Sequence, residues 1–402
     1  MKSKQISAVQ RIFKGLDYAD TVIKNGKIIN VFTNEIELDK VVAIKNGTIF
    51  YVGEYKTDFV GPSTDIIDAD NLFLAPGFID AHTHLDSMIP YPEFVEYALK
   101  GGTTCVVTEC AMVANALGVK GVKDFVNSTK EAPLKTLFLA PPLVPPVKRY
   151  EISHPFSFKD FETLLKPKDF VGIGEAYWNE AIRNEGGYFK KVELANIYKK
   201  SIEGHAAGAK GKNLFAYLNC GITSCHESIT IDEAIEKLRQ GIFVMIREGY
   251  IRSEMQELSK LKNFTGSKER IILVSDVFNA AMLMEGYLNV VVRKAITFGF
   301  NPVDAIKMVT INPATYFGFN HLGAISIGRS ADIIFLSDLK DVKITKVMID
   351  GSIVVEKGNY LLPKQNNSEK KPKNSLSLRK IKEADILIKS NKSRRVRVME
   401  IF

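Results

Sequence analysis

Six residues able to bind a metal or move a proton stand at the ends of short apolar runs in this 402-residue chain. His82 and His84 close the run Leu74-Ala75-Pro76-Gly77-Phe78-Ile79-Asp80-Ala81. Residues i and i+2 of a strand face the same way, so both imidazoles project together at a spacing suited to one ion. His205 closes Ser201-Ile202-Glu203-Gly204, and His226 closes Gly221-Ile222-Thr223-Ser224-Cys225. Glu175 ends Phe170-Val171-Gly172-Ile173-Gly174, and Asp276 ends Ile271-Ile272-Leu273-Val274-Ser275. A buried carboxylate is costly unless it is paired or bound to a cation, so two of them capping apolar runs call for a partner. His82, His84, Glu175, His205, His226 and Asp276 are therefore the candidate ligands of one or two divalent ions. The two remaining histidines, His154 and His321, lie in loop-like sequence and read as surface residues.

Such ligands need a scaffold that brings strand ends together. Eight apolar runs have strand character, at residues 77–84, 103–109, 135–140, 170–175, 202–205, 222–226, 242–247 and 271–276. Helical patterns separate most of them, at 92–99, 122–130, 158–165, 194–201, 231–240 and 254–261. Strand–helix alternation repeated eight times predicts an α/β fold of the (β/α)8 barrel type, whose active sites lie at the C-terminal ends of the strands. Every candidate ligand falls at such an end. The span 75–321 matches the roughly 250 residues usual for one barrel.

The flanks alternate apolar and polar residues around Asn25-Gly26, Asn46-Gly47 and Asp350-Gly351, which read as hairpin turns. Residues 19–74 and 322–360 are expected to join into one small composite β-sandwich domain with a structural role. Residues 361–402 hold 12 Lys/Arg and 4 Asp/Glu, which accounts for the whole net charge of +8. A neutral body with a basic Pro/Lys/Asn/Ser-rich tail disfavours nucleic acid as a partner, and 361–402 reads as an exposed linker followed by segments of strand character. No run of 18 apolar residues predicts a membrane span. The absence of an apolar core near the N-terminus, together with four cysteines that read as reduced thiols, predicts a cytoplasmic protein.

These residues also carry a likeness. PGFIDAHTHLDSM (76–88), GGTTCVVTE (101–109), VGIGEA (171–176), EGHAAGAKGKNLFAYLNCGITSCHES (203–228), EKLRQGIFVMIREG (236–249), NPVDAIKMVTINPATYFGF (301–319) and LGAISIGRSADIIFLSDL (322–339) together resemble the amidohydrolase superfamily of metal-dependent hydrolases, and within it the bacterial adenine deaminases. The resemblance covers nearly all of residues 19–360. It implies hydrolytic deamination of adenine or a related heterocycle through a metal-activated water, with Mn, Fe or Zn as the ion. His82 and His84 match ligands of a first metal, and His205 and His226 match ligands of a second. Glu175 stands where the superfamily places a bridging carboxylate or carbamylated lysine. Asp276 matches the aspartate that shuttles the water's proton. Glu227 matches a family carboxylate and has two readings, an acid acting on a ring nitrogen or an outward residue alternating with His226. Arg247 and Glu248 are expected to bind a polar substrate ring. The implied partner is a small heterocycle, no membrane is involved, and self-association into a homo-oligomer is left open.

Several positions depart from the family pattern. Its acidic-Pro-His-Glu segment reads Glu109-Cys110-Ala111-Met112 here, its Asp-Asp-Arg-His run reads Asp276-Val277-Phe278-Asn279, and a later Gly-His reads Gly286-Tyr287. These changes spare the ligand set and alter its surroundings, so adenine is expected to be handled poorly. Two other functions fit the same motifs: cyclic-amide hydrolysis of the dihydroorotase or hydantoinase type, and a weakened paralogue serving as a binding or assembly subunit. The first usually requires a lysine where Glu175 stands. The family continues into a second large domain, whose first strands 382–402 resembles before stopping.

Overall fold

The computed structural model describes residues 3–363, apart from Met88, Ile152 and His154, together with residues 380–387. The barrel and both flanks belong to one unit, Met1–Asn367. Before the barrel come β1 (Thr21–Asn30), β2 (Glu35–Lys45), β3 (Thr48–Gly53), β4 (Asp65–Asp68) and β5 (Phe73–Pro76). The barrel strands are β6 (Phe78–Thr83), β7 (Thr103–Thr108), β8 (Lys135–Ala140), β9 (Phe170–Ile173), β10 (Ser201–Ile202), β11 (Ser224–Cys225), β12 (Phe243–Arg247) and β13 (Ile271–Val274). After them come β14 (Ile333–Asp338), β15 (Lys343–Ile349), β16 (Ser352–Glu356) and β17 (Asn359–Tyr360).

Each of the eight apolar runs forms one barrel strand. β6 to β10 make one parallel ladder and β11 to β13 another. Two seams close the ring. The Thr223 amide donates to the Ile202 carbonyl at 3.0 Å, joining β10 to β11. A parallel bridge between Thr83 and Asp276 joins β6 to β13.

Strand alternation divides the apolar side chains between two environments. Val106, Val244, Ile246, Ile271 and Leu273 pack outward against helical residues such as Phe94, Leu99, Leu288 and Val292. Cys105, Val107 and Leu139 point inward with Ile79, and Met245, Ile272 and Val274 point inward with Ala81. The helix Ile311–Phe317 and the turn after it plug the N-terminal end of the barrel with Ala314, Phe319 and Leu322. That segment is anchored to the strands' starts, where the Ile79 amide donates to the Val309 carbonyl at 2.7 Å.

The two flanks join, in the form of one continuous nine-stranded sheet in which β14 pairs with β5. Along β2, Val42 and Ile44 enter the core shared with Ile333 and Phe335. Val41 and Ala43 face the opposite way, onto Val9 and Ile12 of the helix Ser3–Phe13, which the sequence pattern did not signal. Asn46-Gly47 and Asp350-Gly351 are tight turns with positive φ at both positions. Asn25-Gly26 is not a turn. It is a bulge inside β1 that lets one strand pair with β4 over Thr21–Lys24 and with β5 over Lys27–Ile28. Asn25 adopts φ 57°, and Gly26 is required because a Cβ there would stand 2.4 Å from Leu74 Cδ1.

Two helices differ from expectation. Gly118, at φ 68°, interrupts a helix that begins earlier, at Ala111. Lys199, at φ 54°, ends Tyr188–Ile197 before residues 199–201 can join it. Among the described residues no helix is long and apolar enough to cross a membrane. In the tail, Glu383–Ile386 forms one helical turn where strand character was expected, with the Lys382 amide donating to Asp385 at 2.9 Å. The remainder of the linker and strand expectations for 361–402 lies outside the described residues, as does His154. His321 is exposed, as expected.

Candidate metal centre

The six predicted ligands converge at the C-terminal mouth of the ring. The β6–β7 pairing slips between Asp80 and Thr83, and His82 and His84 both reach the centre from this end. Asp276 arrives from β13 in a left-handed conformation, φ 56°. Its backbone is clamped to β6: its amide donates to His82 O, and its carbonyl accepts from the amide of His84, each at 3.1 Å. Such strain in a non-glycine residue persists only where the surroundings over-determine it.

The donor atoms form overlapping groups, one of which sets His82 and His226 with Asp276 and two of which share Glu175. Asp276 Oδ1 lies 3.6 Å from His82 Nε2 and 3.4 Å from His84 Nε2, and Glu175 Oε1 lies 4.0 Å from His84 Nε2. Glu175 Oε2 lies 2.8 Å from His205 Nδ1 and 3.0 Å from His226 Nε2. Glu175 thus presents one oxygen to each of the two groups it shares. Donors held about 2.1 Å from a shared ion in a tetrahedron stand about 3.4 Å apart, which Asp276 matches with His82 and His84. The buried His82 Nε2 has no hydrogen-bond partner among the described residues, as a ligand atom reserved for a cation would not. Imidazole and carboxylate donors suit Zn, Fe or Mn. The residues present fit a divalent metal.

Electrostatics point the same way. Burial alone pushes the His82 and His84 imidazoles down, but the Asp276 carboxylate and its neighbours outweigh it and hold both above the usual range. His205 is raised likewise by Glu175, against its own burial. His226 is pushed down to about 4 by burial and by the charge on His82. Burial raises Asp276, yet the neighbouring His82 and His84 imidazoles bring it well below the ordinary carboxylate range. The cluster attracts positive charge.

A model of the amidohydrolase family matches residues 73–354, from β5 into β16. The chain belongs to the amidohydrolase family. An adenine deaminase of Moorella thermoacetica is 38% identical over 353 residues, covering 86% of this chain and 59% of that protein. One from Methanosphaera stadtmanae is 38% identical over 338 residues, covering 84% and 59%. The chain therefore spans about three-fifths of the length of these relatives. Among solved structures, a β-aspartyl dipeptidase from Fervidobacterium islandicum AW-1 shares the fold, with a TM-score of 0.65 and 18% identity over 86% of this chain and 98% of that one.

Around this amidohydrolase centre the other named residues divide. Glu227 is buried and faces the cluster: its Oε1 lies 3.5 Å from both His205 Nδ1 and His226 Nε2. The outward reading of Glu227 is thereby overturned. Arg247 also faces in, but its guanidinium is engaged. It donates to Glu227 Oε1, and Nε and Nη2 grip Glu254 at 3.2 and 2.9 Å. Arg247 thus orients Glu227 and stands 3.6 Å from Asp276 Oδ2. Glu248 is not brought to the centre. Alternation along β12 turns it the other way, where Oε1 accepts from Ser253 at 2.6 Å and pairs with Lys294.

Sequence reasoning missed three carboxylates. Glu203 and Glu109 are 0% exposed, and Glu254 is buried. Glu203 Oε2 lies 2.7 Å from His82 Nδ1. Glu109 Oε1 accepts the Glu175 amide at 2.8 Å, in space left by Gly174, where a Cβ would stand 2.3 Å from Glu109 Oε2. Burial and the charge of Glu175 push Glu109 up to about 8. The signals were present: Glu203 precedes His205 by two, as His82 precedes His84, and Glu109 ends an apolar run just as Glu175 does.

The departing positions contribute little to the mouth. Cys110 donates to the Leu139 carbonyl at 3.0 Å, Phe278 stacks on Phe94 at 5.1 Å, and Asn279 caps the helix Ala280–Glu285 by accepting from the Met282 amide. Tyr287 donates to the buried Asp80 at 2.6 Å, behind β6.

Proposed function

We propose that this chain is a metal-dependent hydrolase of a C–N bond in a heterocycle, deaminating adenine or a related ring. The observation that carries the reading is the pair of donor groups sharing Glu175. His82, His84, Asp276 and Glu175 would hold one ion; His205, His226 and Glu175 would hold a second. Charge supports two ions. Glu175, Glu203, Glu227, Glu254 and Asp276 gather here against Arg247 as the one guanidinium among them. A divalent cation held there would supply Lewis acidity, making bound water ionisable near neutral pH.

The chain's own groups then manage the protons. Asp276 lies at the mouth, 3.6 and 3.4 Å from the His82 and His84 Nε2 atoms, where it would take a proton from the attacking water and return it to the leaving amine. Glu227, fixed by Arg247, is the second acid–base group within reach. A carboxylate at 175 in place of a lysine argues against the cyclic-amide alternative. Adenine is the less favoured ring, because Cys110, Phe278, Asn279 and Tyr287 are committed to contacts away from the mouth. Each missing hydrogen bond to a buried polar group costs about 1–3 kcal/mol. Four unpaired cysteine thiols fit a reducing compartment, so the cytoplasm is the proposed location.

The test is ammonia release from adenine, other purines and pyrimidines by protein loaded with Mn, Fe or Zn. Release from at least one heterocycle is expected, with adenine among the slower. Full metal occupancy with no turnover of any ring would contradict the reading and favour the binding subunit.

A further inference from the structure

The backbone between the ligands puts a second carboxylate under the centre. Glu203 and His205 share a face of the strand end that begins at β10. Gly204 between them lies flush against the next strand, where a Cβ would come within 2.6 Å of the Ser224 carbonyl. His205 is fixed by its amide, which donates to Tyr217 Oη at 2.8 Å, while Tyr217 donates onward to the Ala176 carbonyl at 2.6 Å. The Glu203 backbone is tied to β9, its amide donating to the Ile173 carbonyl at 3.1 Å. Its side chain meets His82 from below the cluster, Oε2 to Nδ1 at 2.7 Å, and both residues are fully buried.

We propose that Glu203 is the positioning residue of the metal centre, holding the His82 proton on Nδ1 so that the Nε2 lone pair faces the cation. The inference rests on the metal reading above and adds a residue to it. Both ring nitrogens of His82 are then explained. A carboxylate can only accept, so Nδ1 donates to it, and Nε2 is left as the unpartnered atom that faces Asp276. The ring is held on a third side by His226, stacked at 4.1 Å with planes 24° apart. Glu109 does the parallel task for Glu175, through the backbone amide.

The experiment is isothermal titration of Mn2+ into metal-free wild-type protein and into Glu203→Gln, with thermal unfolding of both metal-free forms. Outer partners of this kind are worth about 10- to 100-fold in metal affinity. E203Q is expected to lose that much, while thermal unfolding shows that its metal-free form is still folded. A carboxylate with only a structural role would leave the affinity of the folded variant unchanged. If E203Q does not fold, E203D serves, since it keeps the charge but withdraws it from Nδ1, and weaker Mn2+ binding is again expected. Equal affinity of wild type and variant overturns the inference alone. A wild-type chain that takes up no Mn2+ overturns the metal reading and the inference with it.

Discussion

The two ends of the same eight strands are built on opposite principles. At the N-terminal end Ile79, Cys105, Val107 and Leu139 close on Ala314, Phe319 and Leu322, apolar atoms packed against apolar atoms. At the C-terminal end, within a few residues along the same strands, four histidines, several carboxylates and one arginine take their place. Burying the first set stabilises the fold by roughly 1.5–3 kcal/mol for each large side chain. Burying the second set costs free energy unless a cation offsets it. One end of each strand holds the barrel together, and the other depends on what it binds.

Substitutions at each end should therefore fail in different ways. The largest effect is expected for His82→Ala, which removes a ligand and also strands Glu203. It should abolish stable metal uptake, measured by equilibrium dialysis and elemental analysis, while circular dichroism still reports a folded barrel. Metal retained at wild-type level would mean the centre lies elsewhere.

Asp276→Asn should keep much of the metal but lower turnover of whichever heterocycle is accepted by about 10²–10⁴-fold. Turnover near wild type would remove Asp276 from proton transfer. At the opposite end, Ile272→Ala should lose about 2–5 kcal/mol of unfolding free energy in a denaturant titration. Its metal affinity should stay within a few-fold of wild type. A large loss of affinity there would mean that the two ends are coupled.

Gly174→Ala tests the boundary between them. The new Cβ meets Glu109 at 2.3 Å and must push the carboxylate off the Glu175 amide. About 1–3 kcal/mol of stability should be lost, together with some metal affinity, and a loss of neither would mean that Glu109 moves freely. The smallest effect belongs to Tyr287→Phe. It deletes a buried hydroxyl that bonds Asp80 at 2.6 Å, Ser275 at 2.9 Å and Thr83 at 3.3 Å, for about 1 kcal/mol in thermal unfolding, with KM unchanged because the ring lies behind β6. A raised KM would instead put Tyr287 in the substrate pocket.

The same contrast explains what could be read from the sequence. Apolar runs ended by His, Glu or Asp reveal a strand, its direction and its tip at once, so the ring and the convergence of these six residues were legible. Glu203 and Glu109 were missed because their partners, His82 and the Glu175 amide, are distant in sequence: 121 and 66 residues away. Glu248 was misassigned because adjacency to Arg247 says nothing about facing, and on a strand neighbours face apart. Asn25-Gly26 has the composition of a turn, and only the change of partner from β4 to β5 distinguishes the bulge. Of the substituted positions, Phe278 and Tyr287 pack in the outer shell and lend the mouth no polar group, which the sequence did not reveal.

The deciding question is whether cations hold the two donor groups together. Crystals of the protein loaded with Mn or Zn, measured at that metal's absorption edge, give the answer through anomalous scattering. Two peaks are expected, one among His82, His84 and Asp276 and one between His205 and His226, with Glu175 between them. No peak at the mouth, or a single peak that leaves one pair of histidines empty, would contradict it.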